Sequence, residues 1–110
     1  MLNMAAIELN KKEFNELLYS GKPLLVDYWA PWCGYCRRIA PAYERLARDM
    51  GDKVTVAKVN IDFEPELARQ EHIEVIPTLV LYRDGQALGS IVAPESKAMI
   101  EEFIHRTLGN

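Results

Sequence analysis

The sequence predicts an α/β fold in which a mixed central sheet is covered by helices on both faces. Residues 24–29 and 54–59 are nearly continuous apolar runs, which are typical of strands buried on both faces. Amphipathic helical segments lie between the early strands, and such β-α-β units favour parallel pairing with right-handed crossovers. An Asp84-Gly85 turn joins the last two strands and predicts an antiparallel hairpin.

The first strand and helix are predicted by a helix-capping pattern. Residues 5–9 form a short strand that ends just before Asn10. Asn10 is a favourable N-cap, and Glu13, three residues later, completes a capping box. The helix is expected over residues 11–19, burying Phe14, Leu17 and Leu18.

The second strand and helix follow directly. Residues 24–29 form the strand, in which Asp27 is the one charged side chain. The helix opens at Cys33 and continues to Met50, because Ile39, Tyr43, Leu46 and Met50 recur at helical spacing. Pro41 lies inside this helix and removes one backbone hydrogen bond.

The second half of the chain completes the order β-α-β-α-β-α-β-β-α. Pro65 suits the first turn of a short helix. The predicted elements are strand 54–59, helix 66–72, strand 78–82, turn 83–86, strand 87–92 and helix 95–108.

Length and composition predict one domain, residues 1–110, and narrow the functional classes. The formal net charge is −3 and no basic stripe appears, which argues against a nucleic-acid partner. No apolar run approaches the roughly 18 residues that a membrane span needs. Residues 1–10 lack the basic start and apolar stretch of a signal peptide. We therefore expect a cytosolic protein, in which structural disulfides are rare.

Cys33 and Cys36 are the only cysteines and form a C-x-x-C pair between a strand and a helix. That placement is typical of a thiol–disulfide redox site. A zinc site within one chain lacks its second pair of ligands, and we expect no metal. His72 and His105 lie far from the cysteines in sequence and fit ordinary surface histidines. Sharing of a metal by two chains stays open as an alternative.

Several separate motifs resemble those of the thioredoxin family over about residues 7–108. They are Asp27 to Gly34 with Cys36, Pro41, Lys58 to Asp62, Ile76-Pro77-Thr78 and the Gly85 turn. The resemblance implies a thioredoxin fold, with a five-stranded mixed sheet flanked by four helices. It implies reduction of protein disulfides, with no bound cofactor and NADPH used indirectly through a thioredoxin reductase. We also expect a monomer.

The resemblance assigns roles to four residues in the reaction. Cys33, at the helix start, is expected to be the nucleophile, and Cys36 to resolve the mixed disulfide. Asp27 is expected to help deprotonate Cys36, with Lys58 modulating it. The alternative for Asp27 and Lys58 is a structural polar pair within the sheet.

A substrate-binding rim is expected around Cys33. It comprises Trp32, Gly34, Tyr35, Ile76, Pro77 and Ala93. The resemblance implies a cis peptide bond before Pro77 that turns the Ile76 backbone towards an extended substrate; the alternative is an ordinary trans turn.

This chain departs from the family at four positions. Tyr35 stands where proline is typical, and Ala93 where glycine is usual. Tyr28 and Tyr82 stand where phenylalanine is common. Because relatives without that proline tend to be more oxidising, a disulfide oxidase or isomerase is the first alternative to a reductase. A non-catalytic binding module is the second.

Overall fold

The computed structural model describes residues 5–109, so residues 1–4 of the segment judged for a signal peptide, and residue 110, lie outside the described residues. The elements follow the predicted order. They are β1 (Ile7–Glu8), α1 (Lys11–Leu18), β2 (Leu24–Trp29), α2 (Gly34–Met50), β3 (Thr55–Asn60), α3 (Pro65–Gln70), β4 (Thr78–Arg83), β5 (Gln86–Val92) and α4 (Lys97–Leu108).

The five strands form one mixed sheet in the order β1-β3-β2-β4-β5, which confirms the predicted fold class. β3 pairs in parallel with both β1 and β2. β4 is antiparallel to β2, and β5 is antiparallel to β4. β2 is therefore the central strand, and its apolar run reflects burial on both faces.

A separate hydrophobic core lies on each face of the sheet. One core packs α2 and α4 against the sheet and includes Leu25, Tyr43 and Ile104. The other packs α1 and α3 and includes Val26, Tyr28 and Leu67. Because side chains alternate along a strand, Asp27 projects towards α2, on the same side as Leu25.

A helix cap, a left-handed residue and a strand register explain three element boundaries that differ from prediction. α4 begins at Lys97 and not at Glu95, because the Ser96 side chain accepts the N–H of Met99 as an N-cap. α3 ends before His72, whose φ of 60° is left-handed. β1 shrinks to two residues, which is the extent of its register with β3.

The β4–β5 turn needs its glycine. Gly85 has a φ of 83°, and a Cβ there would lie 2.5 Å from Cε1 of Tyr19. Glycine is therefore required at position 85 both for the left-handed φ and for the close approach of the Tyr19 ring. Within residues 5–109, no helix combines the length and the apolar character that crossing a membrane requires.

Candidate active site

The two cysteines form a disulfide at the N-terminus of α2. Cys33 is the N-cap residue, and its Sγ accepts the backbone N–H of Cys36 at 3.1 Å. Cys33 is 8% exposed and Cys36 is 3% exposed, so Cys33 is the more accessible of the two. The free N–H groups and positive dipole end of the 17-residue helix favour negative charge at this position.

A loop from the opposite side of the site approaches Cys33. The Ile76–Pro77 peptide bond is cis, as the resemblance implied. The Ile76 carbonyl oxygen lies 3.9 Å from Cys33 Sγ. Ala93 donates its N–H to the Pro77 carbonyl at 2.9 Å, which brings a third predicted rim residue to the same place.

Tyr35 connects α2 to that loop region. Its hydroxyl donates to the Pro94 carbonyl at 3.1 Å, and the Arg38 guanidinium lies 5.7 Å from its ring centroid. The nearby Arg37 donates to the Pro31 carbonyl at 2.8 Å, where it holds the loop before Cys33. Gly34, the first residue of α2, is exposed.

Trp32 is the exposed aromatic residue of the rim. It is 65% exposed, and its indole Nε1 donates to both carboxylate oxygens of Asp62, at 3.1 and 3.2 Å. This hydrogen bond fixes the indole beside Cys33 while leaving its ring open to a partner.

Asp27 is a buried carboxyl group beneath α2. It is 3% exposed, and within the described residues its Oδ1 has no hydrogen-bond partner. Burial raises the pKa of Asp27 to about 7; the positive charge of Lys58 opposes this shift and the negative charge of Glu8 adds to it. A carboxyl with that pKa exchanges a proton readily at neutral pH.

Lys58 stands opposite Asp27 in the β2–β3 register. Its ammonium forms an ion pair with Glu44 Oε2 at 3.4 Å and lies 5.2 Å from the Trp29 ring centroid. The positive charge of Lys58 therefore acts on Glu44 and Glu8 as well as on Asp27.

Glu8 is a site residue that the sequence reasoning missed. One carboxylate oxygen accepts Trp29 Nε1 at 3.2 Å, and the other accepts the N–H of Asn60 at 2.9 Å. Burial raises the pKa of Glu8. Its one sequence signal is that it is the only charged residue in the predicted first strand.

The histidines and cysteines do not gather with acids into a metal site. Within residues 5–109 there is no group of three or more His, Cys, Asp or Glu side chains able to hold a metal ion. His72 and His105 are both exposed.

Comparison with known proteins places the chain in a family. The family model described as thioredoxin matches residues 5–106. The chain is 42% identical over 97 residues to a thioredoxin of Mycobacterium bovis, covering 87% of this chain and 84% of that protein. It is 42% identical over 87 residues to a bifunctional thioredoxin reductase/thioredoxin of Mycobacterium leprae, covering 79% of this chain and 19% of that longer protein.

A solved structure agrees with the sequence matches. The structure of a mutant thioredoxin from Halobacterium salinarum superposes with a TM-score of 0.86 at 25% identity, covering 97% of this chain and 94% of that one. The family match and the Cys33–Cys36 disulfide favour neither the oxidising enzyme nor the non-catalytic module. The chain belongs to the thioredoxin family and is a thiol–disulfide oxidoreductase that reduces protein disulfides through Cys33 and Cys36.

Proposed function

We propose that Cys33 is the attacking sulfur. Its thiolate attacks one sulfur of a substrate disulfide, forms a mixed disulfide and releases the other substrate sulfur as a thiolate that takes up a proton. The observation that carries this assignment is the N-cap position of Cys33, whose Sγ accepts the Cys36 N–H at 3.1 Å. The same N–H would stabilise the Cys33 thiolate in the reduced protein.

Cys36 completes the reaction. Its thiolate attacks Cys33 Sγ, the Cys33–Cys36 disulfide forms, and the second substrate sulfur leaves and is protonated. Two electrons and two protons have then passed to the substrate. Because both sulfurs belong to one helical turn, this second step has a high effective concentration.

Asp27 accepts the proton of Cys36 in this proposal. Its carboxyl group projects towards α2, is buried, and has a pKa of about 7, which suits a general base at neutral pH. Lys58 acts as a modulator, since its charge favours the carboxylate form of Asp27.

Substrate binds on the rim formed by Trp32, Gly34, Tyr35, Ile76, Pro77 and Ala93. The exposed Trp32 indole supplies apolar contact. The backbone beside Cys33, at Ile76, supplies hydrogen bonds to an extended substrate segment. Backbone pairing of this kind reads little sequence, and therefore suits many protein substrates.

The oxidised protein is returned to the dithiol by a thioredoxin reductase that uses NADPH. The support is the Mycobacterium leprae relative, whose name joins both activities in one protein. We further propose that this chain acts as a single domain and a monomer in the cytosol, where thiols are kept reduced. NADPH oxidation with added reductase, sedimentation and cell fractionation test these three points.

The order of attack is tested by trapping the mixed disulfide. With a disulfide-containing protein such as insulin, Cys36→Ser is expected to accumulate a covalent adduct through Cys33, visible by mass spectrometry. Cys33→Ser is expected to accumulate none. The reverse pattern would assign the attack to Cys36.

The rim is tested with substrates of two sizes. Trp32→Ala is expected to raise KM for insulin about tenfold, the ratio that about 1.4 kcal/mol of lost contact gives, because the indole is open to a partner. The rate with the small disulfide dithiobis(nitrobenzoate) should stay unchanged. Equal effects on both substrates would place the role of Trp32 in the chemistry and not in docking.

A further inference from the structure

Two buried tyrosines and a glutamate form a continuous hydrogen-bonded chain on the face of the sheet opposite α2. The hydroxyls of Tyr28 and Tyr82 lie 2.7 Å apart. The Tyr82 hydroxyl donates to Glu71 Oε1 at 2.8 Å. Since a carboxylate only accepts, Tyr82 donates to Glu71 and Tyr28 donates to Tyr82.

The hydrogen bond between Tyr28 and Tyr82 joins residues that are far apart along their strands. In the β2–β4 register Tyr82 faces Leu24, and Tyr28 faces Thr78, four residues away. At about 3.4 Å per residue, the Cα atoms of Tyr28 and Tyr82 are separated by about 14 Å along the strands, so both side chains extend towards each other. Phe14 packs edge-on against the Tyr82 ring, with ring centroids 5.3 Å apart.

Glu71 links the hydrogen-bonded tyrosines to the segment that leads to the substrate rim. It is the C-cap residue of α3 and begins the segment of residues 71–77, which ends at the rim residues Ile76 and Pro77. The far end of that segment is fixed separately, by the Thr78 hydroxyl donating to the Val75 carbonyl at 2.5 Å. The near end is held by two side chains: Glu71, which accepts from Tyr82, and Ile73, which packs against the core under α1 and α3.

α3 is short, and backbone hydrogen bonds from the N–H groups of residues 71, 72 and 73 to carbonyls of the helix close its C-terminal end. It has six residues, buries Leu67 and Ala68, and has no side-chain hydrogen bond at its N-cap Glu64. The residue that follows Glu71 is His72, with a left-handed φ of 60° that non-glycine residues adopt at a cost. The segment that follows α3 is therefore positioned by these backbone hydrogen bonds together with the side-chain contacts of Glu71 and Ile73.

We propose that Tyr28, Tyr82 and Glu71 are positioning residues that hold segment 71–77 in the conformation that receives a protein substrate. The inference rests on the proposed docking role of Ile76 and Pro77. The three groups are interdependent, since losing one leaves a buried polar neighbour without its partner.

The test separates docking from chemistry. Glu71→Ala and Tyr82→Phe are each expected to raise KM for insulin about three- to tenfold. Both should leave kcat for insulin, the dithiobis(nitrobenzoate) rate and the Cys33–Cys36 reduction potential unchanged. Glu71→Gln, whose amide oxygen still accepts the Tyr82 hydroxyl, should restore the normal KM.

Amide hydrogen exchange provides a direct readout of position. We expect faster exchange at residues 72–76 in Glu71→Ala and Tyr82→Phe. Glu74→Ala, in the same segment but exposed, and Tyr19→Phe, an exposed hydroxyl deletion, are the matched controls and should exchange normally.

Two outcomes would overturn the inference. One is a loss of stability in both variants while KM and exchange at residues 72–76 stay unchanged. The hydrogen bonds of Tyr28, Tyr82 and Glu71 would then only stabilise the core. The other is a failure of Glu71→Gln to restore KM. If Tyr82→Phe fails to fold, Glu71→Ala decides alone, because Glu71 is only partly buried. Failure of the proposed docking role of Ile76 and Pro77 would appear differently, as faster exchange at residues 72–76 in both variants with the KM for insulin unchanged.

Discussion

Asp27 lies in an environment that disfavours its ionised form. Its carboxyl lies in the core beneath α2, and only a lysine shared with other acids offsets the burial. An aliphatic residue would pack there without that cost. The proposed transfer of the Cys36 proton to Asp27 would give this buried acid a function.

Asp27 makes stability depend on pH. Its ordinary pKa is 3.8 and its pKa in the folded protein is about 7. Between these values the folded protein keeps a proton that the unfolded chain loses, so stability falls as pH rises through this window. The full penalty, about 4 kcal/mol, is present above pH 7.

Asp27→Asn removes this titration. The free energy of unfolding of the variant should fall less between pH 4 and 7 than that of the wild type, because the contribution of Asp27 is gone and that of Glu8 remains. At pH 8 the variant should exceed the wild type by about 2 kcal/mol, after the cost of burying an unpaired amide. Urea unfolding of the oxidised form at several pH values measures this, with the exposed Asp52→Asn as control. A parallel pH slope in Asp27→Asn and wild type would contradict it.

The same substitution tests the proposed catalytic role. Without a proton acceptor for Cys36, release of the mixed disulfide should slow about 100-fold at pH 7. Single-turnover stopped-flow with a disulfide protein isolates that step. An unchanged release rate would restrict Asp27 to its effect on stability.

Tyr35 is the residue expected to set the redox poise. Its backbone N–H is among the free donors at the start of α2 that favour a thiolate at Cys33. Tyr35→Pro removes that N–H, so the reduced state should be less stabilised and the potential more negative by about 30 mV, which is about 1.4 kcal/mol.

Equilibration with dithiothreitol and glutathione buffers measures this potential. Tyr35→Phe is the matched control, because it keeps the N–H and removes only the hydroxyl that donates to Pro94. If Tyr35→Phe shifts the potential as much as Tyr35→Pro does, the hydroxyl contact is responsible and not the backbone donor.

At the scale of elements, β1 contributes more to the site than its two residues suggest. The register Glu8↔Lys58↔Asp27 runs across β1, β3 and β2 on the face that packs α2. The Glu8 carboxylate also accepts from Trp29 and Asn60, near the strand ends beside Cys33. The edge strand therefore supplies a charge and two hydrogen bonds to residues of the inner strands.

Glu8→Gln should lower the pKa of Asp27. The negative charge of Glu8 raises that pKa, whereas the positive charge of Lys58, which pairs with Glu44, continues to lower it. Carbon NMR titration of the Asp27 carboxyl measures the shift. Glu16→Gln, an exposed substitution on α1, should leave the titration unchanged. An unaltered Asp27 pKa in Glu8→Gln would remove Glu8 from the site.

Local patterns predicted the central elements well and the site only in part. The apolar run of β2 and the helical spacing of α2 are dictated by burial, so they are readable in the sequence. The roles of Glu8 and Glu44 depend on which strands and helices become neighbours. Periodicity within one element carries no information about that register, and these residues were missed.

At the scale of the whole molecule, two cores share one sheet. Leu46 lies in the core under α2, and Leu67 in the core under α3; both are fully buried. The central strands send side chains alternately into each core. Loss of packing on either face should therefore weaken the entire molecule and not one half.

Leu46→Ala and Leu67→Ala should each reduce the free energy of unfolding by about 3 kcal/mol, through lost burial and a cavity. The double variant should show the sum of the two losses, because the sites lie on opposite faces of the sheet. Urea unfolding followed by fluorescence and by circular dichroism should give coincident transitions. Separate transitions would show that the two cores unfold independently.

The hydrogen bonds of the two tryptophans have a practical consequence. Trp29 donates to Glu8 and Trp32 donates to Asp62, and the chain contains no other tryptophan. Trp32 adjoins Cys33 in sequence, and Trp29 lies over the ammonium of Lys58. The tryptophan fluorescence of this protein therefore comes from residues beside the cysteine pair and its charged neighbours. Substrate binding and the protonation of Glu8 and Asp62 can be followed by that fluorescence without an attached dye.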